Sequence, residues 1–254
     1  MKFDYILTGG QCRMNTALIF AGGSGTRMNT TGLPKQFLKV NDKPIIIHTI
    51  DFFEENPDID AICVVCIEDY IDYFKKCLKK FNIEKVKVVV PGGKDGQESI
   101  YNGLKALHEL YGDQEDTIVL IHDGVRPLIN TQLISDNIAC VKKHGTAITV
   151  APASETIITV NDTKNVSGTV ERSRCFLARA PQGYYLKDIY GCHLKALAEN
   201  RHDFIDSASM MMNYEKKLHI IDGPSQNIKI TKPEDFYIFR AILQAKENEQ
   251  IMGI

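Results

Sequence analysis

The sequence predicts an α/β protein built on a mostly parallel, doubly wound sheet with a projecting β-arm, and two patterns carry that expectation. Short β-branched runs alternate with segments of helical period, the rhythm of βαβ units whose sheet is covered on both faces. One stretch, residues 155–173, breaks the rhythm by alternating polar and β-branched residues around an Asn/Asp/Gly-rich turn.

Taken in order, TALIF (16–20) reads as the first buried strand, and a helix follows at about 44–55. AICVVCI (61–67) is the next strand, then a helix at 69–81, VKVVV (86–90), and a helix at 96–110. TIVLIH (117–122), a helix at 131–144 and AITVAP (147–152) continue the alternation. ETIITVNDTKNVSGTVERS (155–173) is the arm, an extended hairpin leaving the sheet. Helices near 186–199 and 206–213, a strand at 218–222, NIKI (227–230) with alternating apolar residues, and a final helix from Pro233 close the chain. Residues 1–13 do not fit: Met14 directly precedes the first convincing strand, and ILTGG loosely echoes IFAGG. They read as a dispensable extension ahead of a single domain over 14–254.

Composition narrows the function classes. With 254 residues, 44% of them hydrophobic, and a formal net charge of −2, the chain can bury a full core but offers no basic field for nucleic acid or an acidic membrane. No apolar run reaches the roughly 20 residues of a membrane span, and the N-terminus lacks the basic flank and apolar stretch of a secretory signal, so a cytoplasmic location is expected. Seven cysteines, an odd number scattered along the chain, do not form a disulfide framework. Cys63 and Cys66 form a C-x-x-C, but in a strand positions three apart point to opposite faces, so they read as buried thiols rather than joint metal ligands.

The chemistry concentrates after the first strand, in ALIFAGGSGTRMNTTGLPKQFLKV (17–40). A Walker loop would need a Gly-Lys-Ser/Thr that is absent, and a dinucleotide fingerprint would need glycine where Met28 stands. What remains is a glycine turn whose amides can face phosphate oxygens, with Arg27 as a planar fork and Lys35 as a mobile charge. Pro34 fixes the backbone immediately before Lys35. Asp123 follows a strand at its carboxyl end, where α/β sheets place ligands, and one carboxylate with substrate phosphates is a usual Mg²⁺ site. His122 reads as a packed or loop-bracing residue, and Lys229 points away from the apolar face of NIKI.

In order, AGGSGTRM, LPKQFL, PGGKDGQESIYNGL, IHDGVRPLI, TVERS, APQ and NIKITKPEDF resemble the cytidylyltransferases of sugar-alcohol phosphates, over about residues 15–245. That family includes enzymes for 2-C-methyl-D-erythritol 4-phosphate and for ribitol 5-phosphate. The resemblance implies a Rossmann-like nucleotidyltransferase domain, a homodimer formed through the β-arm, and Mg²⁺-dependent transfer of CMP from CTP. On this chain it implies that Phe20, Ala21, Gly22, Gly23 and Gly25 surround the nucleotide, with Arg27, Lys35 and Lys229 as catalytic cations. It further implies that Gly93, Lys94 and Ser99 line the cytosine region, that Asp123 beside Gly124 holds Mg²⁺, and that Arg126 braces that loop beside the substrate. Arg172, from the arm, would reach the polyol phosphate of the other subunit, and Asp206 would also contact the substrate.

The acceptor is read from finer features. Lys35 lies eight positions beyond Arg27, with Leu33 before Pro34, a loop length that resembles the ribitol branch. Ala180 stands where the family usually has threonine, Lys94 where relatives often have a carboxylate or threonine, and Gln226 where one branch is acidic. HDGVRP leans toward the methylerythritol branch. The favoured acceptor is D-ribitol 5-phosphate, with 2-C-methyl-D-erythritol 4-phosphate the alternative; a hexose 1-phosphate nucleotidyltransferase or a non-catalytic nucleotide binder fits the motifs less well.

Overall fold

The computed structural model describes residues 13–23, 32–112 and 116–252, with side chains through 248. The chain forms β1 (Asn15–Ala21), β2 (Lys39–Val40), β3 (Lys43–Pro44), α1 (Ile45–Glu55), β4 (Ala61–Cys66), α2 (Ile71–Lys80), β5 (Val86–Pro91), α3 (Gly96–Tyr111) and β6 (Ile118–Asp123). It continues with α4 (Thr131–His144), β7 (Thr146–Pro152), β8 (Ile158–Val160), β9 (Val166–Thr169), β10 (Phe176–Tyr185), α5 (Leu186–Ala198), α6 (Ser207–Asn213), β11 (Ile220–Asp222) and α7 (Pro233–Met252).

Seven strands make the central sheet in the order β11-β7-β10-β6-β1-β4-β5. β10 runs antiparallel to both of its neighbours, and the other pairings are parallel. The doubly wound expectation holds because alternate residues of each buried strand feed opposite cores. Ala17, Ile19, Ile62, Val64 and Leu120 pack with Phe53 of α1, Phe74 of α2 and Ile134 of α4. Leu18, Val65, Val119 and Ile121 pack on the other face with Leu104 of α3, Ile189 of α5 and Met210 of α6. The C-x-x-C follows the same parity: Cys66 joins the first core and Cys63 the second, both fully buried. Burial pushes each thiol up to about 12, as suits packing rather than metal binding. A third, smaller core sets Phe239 of α7 against Val40, Val125 and Ile230.

Helix starts near the sheet's carboxyl edge are defined by local caps. Asp95 caps α3 by accepting from the Glu98 amide at 2.8 Å, while the Glu98 carboxylate accepts from the Lys94 amide at 2.7 Å. Asp206 and Ser209 form a capping box on α6. The loop after β6 turns through Gly124 and Val125, so Asp123 is the last residue of the strand rather than the first of the loop.

Four sequence expectations need correction. The segment 176–185, not read as a strand, is β10 in the middle of the sheet. Pro181 disguises it, since proline removes a ladder donor and argues against a central strand. The structure accommodates it at a register shift between Ala178 and Gln182, where the Pro181 carbonyl accepts from the Thr149 hydroxyl at 2.7 Å. Residues 227–230 are not a strand: this stretch makes a single backbone contact with the loop after β6, Ile230 N–H to the Val125 carbonyl at 2.8 Å. Its alternation is real all the same, with Ile228 and Ile230 in the third core. The helix expected over 69–81 begins as a 3-10 turn, Glu68–Tyr70, and the strand expected over 218–222 shortens to three residues.

The arm is present as the antiparallel pair β8 and β9. The Asn161 side chain closes its turn by accepting from the amides of Thr163 and Asn165. Ile158, Val160 and Val166 stand 51%, 58% and 63% exposed on it, an apolar surface that its own chain leaves uncovered. Among the described residues no helix is long and apolar enough to cross a membrane.

Candidate active site

The carboxyl ends of β1 and β6, adjacent in the sheet, place Phe20 and Asp123 side by side in register. Beyond β1 the backbone enters the glycine turn. There a Cβ on Gly22 would lie 3.0 Å from the Gly92 Cα, so the turn after β1 and the loop after β5 are packed backbone against backbone. Gln36, buried, ties the next segment to the turn by donating to the Ala21 carbonyl at 2.7 Å and the Gly23 carbonyl at 3.3 Å. Lys35 sits in the 3-10 turn Lys35–Phe37 after Pro34, and its Nζ donates to the Ile230 carbonyl at 3.1 Å.

At the centre is an ionic cluster around the buried carboxylate of Asp123. Asp123 Oδ1 lies 2.6 Å from Lys229 Nζ, and its Oδ2 accepts from Arg126 Nε at 3.0 Å. Burial alone would raise the Asp123 carboxyl, but the Lys229 and Arg126 charges outweigh it and hold the pKa at about 2. Arg126 also donates to the Asn227 carbonyl at 2.8 Å, and Asn227 donates to the Ala180 carbonyl at 2.7 Å. This chain of contacts locks 227–230 to β6 and β10 and so aims Lys229, whose ammonium also stands 5.6 Å from the Phe20 ring centre. His122, fully buried against Phe53, donates from Nε2 to the Arg126 carbonyl at 3.0 Å, and burial drops its pKa to about 4. It braces the loop as a neutral ring, as its place in the sequence suggested.

Two cavities meet at this cluster, sharing Phe20, Gly96, Asp123 and Lys229. The one of about 510 Å³ lies along the glycine turn and is bounded by Ala21, Gly22, Gly23 and Lys35 on one side. Gly93, Lys94 and Ser99 close its other side, and Gly96 brings the N-terminus of α3 to it. Amides, a helix start and three lysines, Lys35, Lys94 and Lys229, are equipment for a polyphosphate. The second cavity, about 280 Å³, opens between β10 and α6 and carries Arg126, Arg179, Gln182, His193 and Asp206.

Most of the residues expected from sequence thus come together. Gly124 is an exception: it lines neither cavity and packs behind the β1 terminus, where an added Cβ would meet Ala21 at 2.9 Å. Arg172 lies in the exposed turn at the base of the arm, donates to the Ser154 carbonyl at 3.4 Å, and lines neither cavity of its own chain. Gly25 and Arg27 lie outside the described residues. Sequence reasoning missed Gln36 as the clasp on the glycine turn, and it missed Arg179 and His193 in the second cavity. An arginine within the apolar run FLARAPQGYY was the available signal for Arg179. Among the described residues no three His, Cys, Asp or Glu side chains gather as metal ligands.

Comparison with known proteins shows the family and the fold. The family model described as IspD, 2-C-methyl-D-erythritol 4-phosphate cytidylyltransferase, matches residues 15–245. A ribitol-5-phosphate cytidylyltransferase of Streptococcus agalactiae is 52% identical over 241 residues, covering 95% of this chain and all of that protein. A 2-C-methyl-D-erythritol 4-phosphate cytidylyltransferase of Clostridium botulinum is 36% identical, over 91% of this chain and 97% of its own. The crystal structure of 4-diphosphocytidyl-2C-methyl-D-erythritol synthase from Anaerococcus prevotii superposes with a TM-score of 0.78 at 28% identity, covering 91% of this chain and 96% of that one.

Proposed function

The chain belongs to the sugar-alcohol-phosphate cytidylyltransferases, and from that premise we propose that it transfers CMP from CTP to D-ribitol 5-phosphate, forming CDP-ribitol and pyrophosphate. The observation that carries this reading is the meeting of the two cavities at Asp123 and Lys229. CTP occupies the larger cavity with its triphosphate on the glycine turn, and the polyol phosphate occupies the smaller. A phosphate oxygen of the acceptor attacks the α-phosphorus, the new P–O bond forms, and the bond to the β-phosphate oxygen breaks in line. The attacking phosphate is already ionised, so no protein base is required, and catalysis rests on placement and cations. Lys229 sits at the junction to meet charge building on the α-phosphate, while Lys35 and Arg27 serve the departing pyrophosphate. Arg126 and His122 keep the Asp123 loop in place.

Asp123 fits Mg²⁺ as far as a single side chain can: it stays ionised at any working pH and borders both cavities. One or two carboxylates plus substrate phosphates are the usual donors for that ion. When bound there, Mg²⁺ would draw negative charge off the phosphate oxygens.

The ribitol assignment is supported by the 52% identity to the Streptococcus agalactiae protein against 36% for the Clostridium botulinum one, together with the Arg27-to-Lys35 loop length. The competing acceptor replaces one hydroxylated carbon of the linear chain by a methyl branch on a four-carbon chain, and the apolar part of that difference is worth only roughly 1–3 kcal/mol in a pocket, so the choice is tested directly. At saturating CTP and Mg²⁺, kcat/KM should favour D-ribitol 5-phosphate over 2-C-methyl-D-erythritol 4-phosphate by about 10-fold or more. A preference for the latter would overturn the acceptor and leave the cytidylyl transfer standing.

The exposed apolar face of the arm is matched to a second copy of itself, giving a homodimer in which Arg172 reaches the partner's acceptor cavity. The thiols of Cys63, Cys66 and Cys140 are free, as suits a reducing cytoplasm.

A further inference from the structure

Among the described residues Arg179 has no counterpart to its charge. Its side chain lines the smaller cavity, its Nε is shielded from solvent without a hydrogen-bond partner, and its guanidinium makes no ion pair among the described residues. Arg126 in the same cavity gives its Nε to Asp123 and its Nη1 to the Asn227 carbonyl, and Lys229 is held by Asp123. Burial and the neighbouring Arg126 both press against the charge on Arg179. A partly buried guanidinium with its Nε shielded and a second one beside it is favourable only when an anion completes the set. The register shift of β10 places Arg179 between Ala178 and Gln182, at the interruption in its pairing with β7.

From this geometry we infer that Arg179 grips the phosphate of the acceptor from within the same chain, on the wall of the cavity that the other subunit's arm would approach with Arg172, so that a phosphorylated polyol is held in preference to a free one. The inference rests on the cytidylyltransferase reading. Arg179 lines the smaller cavity but not the one along the glycine turn, which separates it from the triphosphate. In the smaller cavity the acceptor's phosphate is the group with a matching charge, close to two units negative at neutral pH, and a planar fork can hold two of its oxygens. The grip also fixes the direction of attack, since the held phosphate must present its third oxygen toward the Asp123–Lys229 junction.

The test is steady-state pyrophosphate release by the wild type, Arg179→Gln and Arg179→Lys, with D-ribitol 5-phosphate and CTP varied in turn. Loss of charge-assisted hydrogen bonds should raise the KM for D-ribitol 5-phosphate about 30-fold in Arg179→Gln, with Arg179→Lys intermediate. The KM for CTP should stay within about twofold, a split that a general loss of packing would not produce. Should Arg179→Gln fail to fold, Arg179→Lys is judged by the same split. If the wild type is active and the acceptor KM is unchanged in the variants, or both KM values rise together, the role of Arg179 is refuted while the transfer reaction stands. If the wild type releases no pyrophosphate with any polyol phosphate, the functional reading itself falls.

Discussion

Two histidines inside the fold should make this protein lose stability in mild acid. His122 is fully buried and His193 is 2% exposed, and burial drops each from the ordinary 6.5 to about 4. Because the folded pKa is depressed, the unfolded chain takes up the proton first, so stability is intact above about pH 6.5 and drains away as pH falls toward 4. At pH 5 an unfolded histidine is almost wholly protonated while the folded ring is about nine-tenths neutral. The linkage then amounts to about 2 kcal/mol for each group, or about 4 kcal/mol for the pair between pH 7 and pH 5. His48, also lowered by burial, adds in the same direction. Asp123 acts in a separate window, between 3.8 and about 2. The chain has no tryptophan, so urea unfolding is best followed by far-UV circular dichroism at pH 7, 6 and 5. His122→Gln and His193→Gln should each remove about half of the pair's fall, whatever they do to stability at pH 7. A wild-type free energy that is flat from pH 7 to 5, or a fall untouched by either substitution, would refute the assignment of neutral buried rings.

Lys35→Ala should lower kcat by about 100-fold with an unchanged circular dichroism spectrum, because it removes a cation from the polyphosphate cavity; Arg27→Ala is expected to behave alike, and wild-type turnover in either would count against the phosphate loop. Mixing an Arg172→Ala chain with a Lys35→Ala chain should restore part of the activity through hybrid dimers, and no recovery despite demonstrated subunit exchange would argue that Arg172 does not act across the interface. Gly22→Ala should weaken CTP binding at least 10-fold in a calorimetric titration, because a Cβ there would press on Gly92 and spread two loops that share the nucleotide cavity; unchanged affinity would mean the two loops are not a rigid unit.

The parallel half of the fold was legible because it is written in a simple period. Runs such as AICVVCI are buried on both faces, so composition alone marks them, and the opposite cores of Cys63 and Cys66 follow from strand parity. β10 was illegible for the converse reason: its pairing tolerates Pro181 at a register shift, and its exposed first residues, Phe176 and Leu177, follow no inside-outside alternation. Missing β10 meant missing the wall it builds, and Arg179 with it. The larger cavity was readable because its lining comes from short runs of sequence, Phe20–Gly23 with Lys35 and Gln36, and Gly93–Gly96 with Ser99. The acceptor side is assembled from β10, α5 and α6, whose proximity only the folded chain reveals.

That division has a bearing on how such a protein can change its substrate. The larger cavity is lined mainly from the first hundred residues, the smaller one largely from 178–210, and Asp123 and Lys229 border both. Mutations in β10 and α6 can therefore reshape the smaller cavity without disturbing the described loops that line the larger one, and the arm leads into β10 through the short turn at Arg172–Arg174. A lineage could move from one polyol phosphate to another by drifting in a single stretch of about fifty codons, 160–210, while the CTP chemistry stays under unbroken selection.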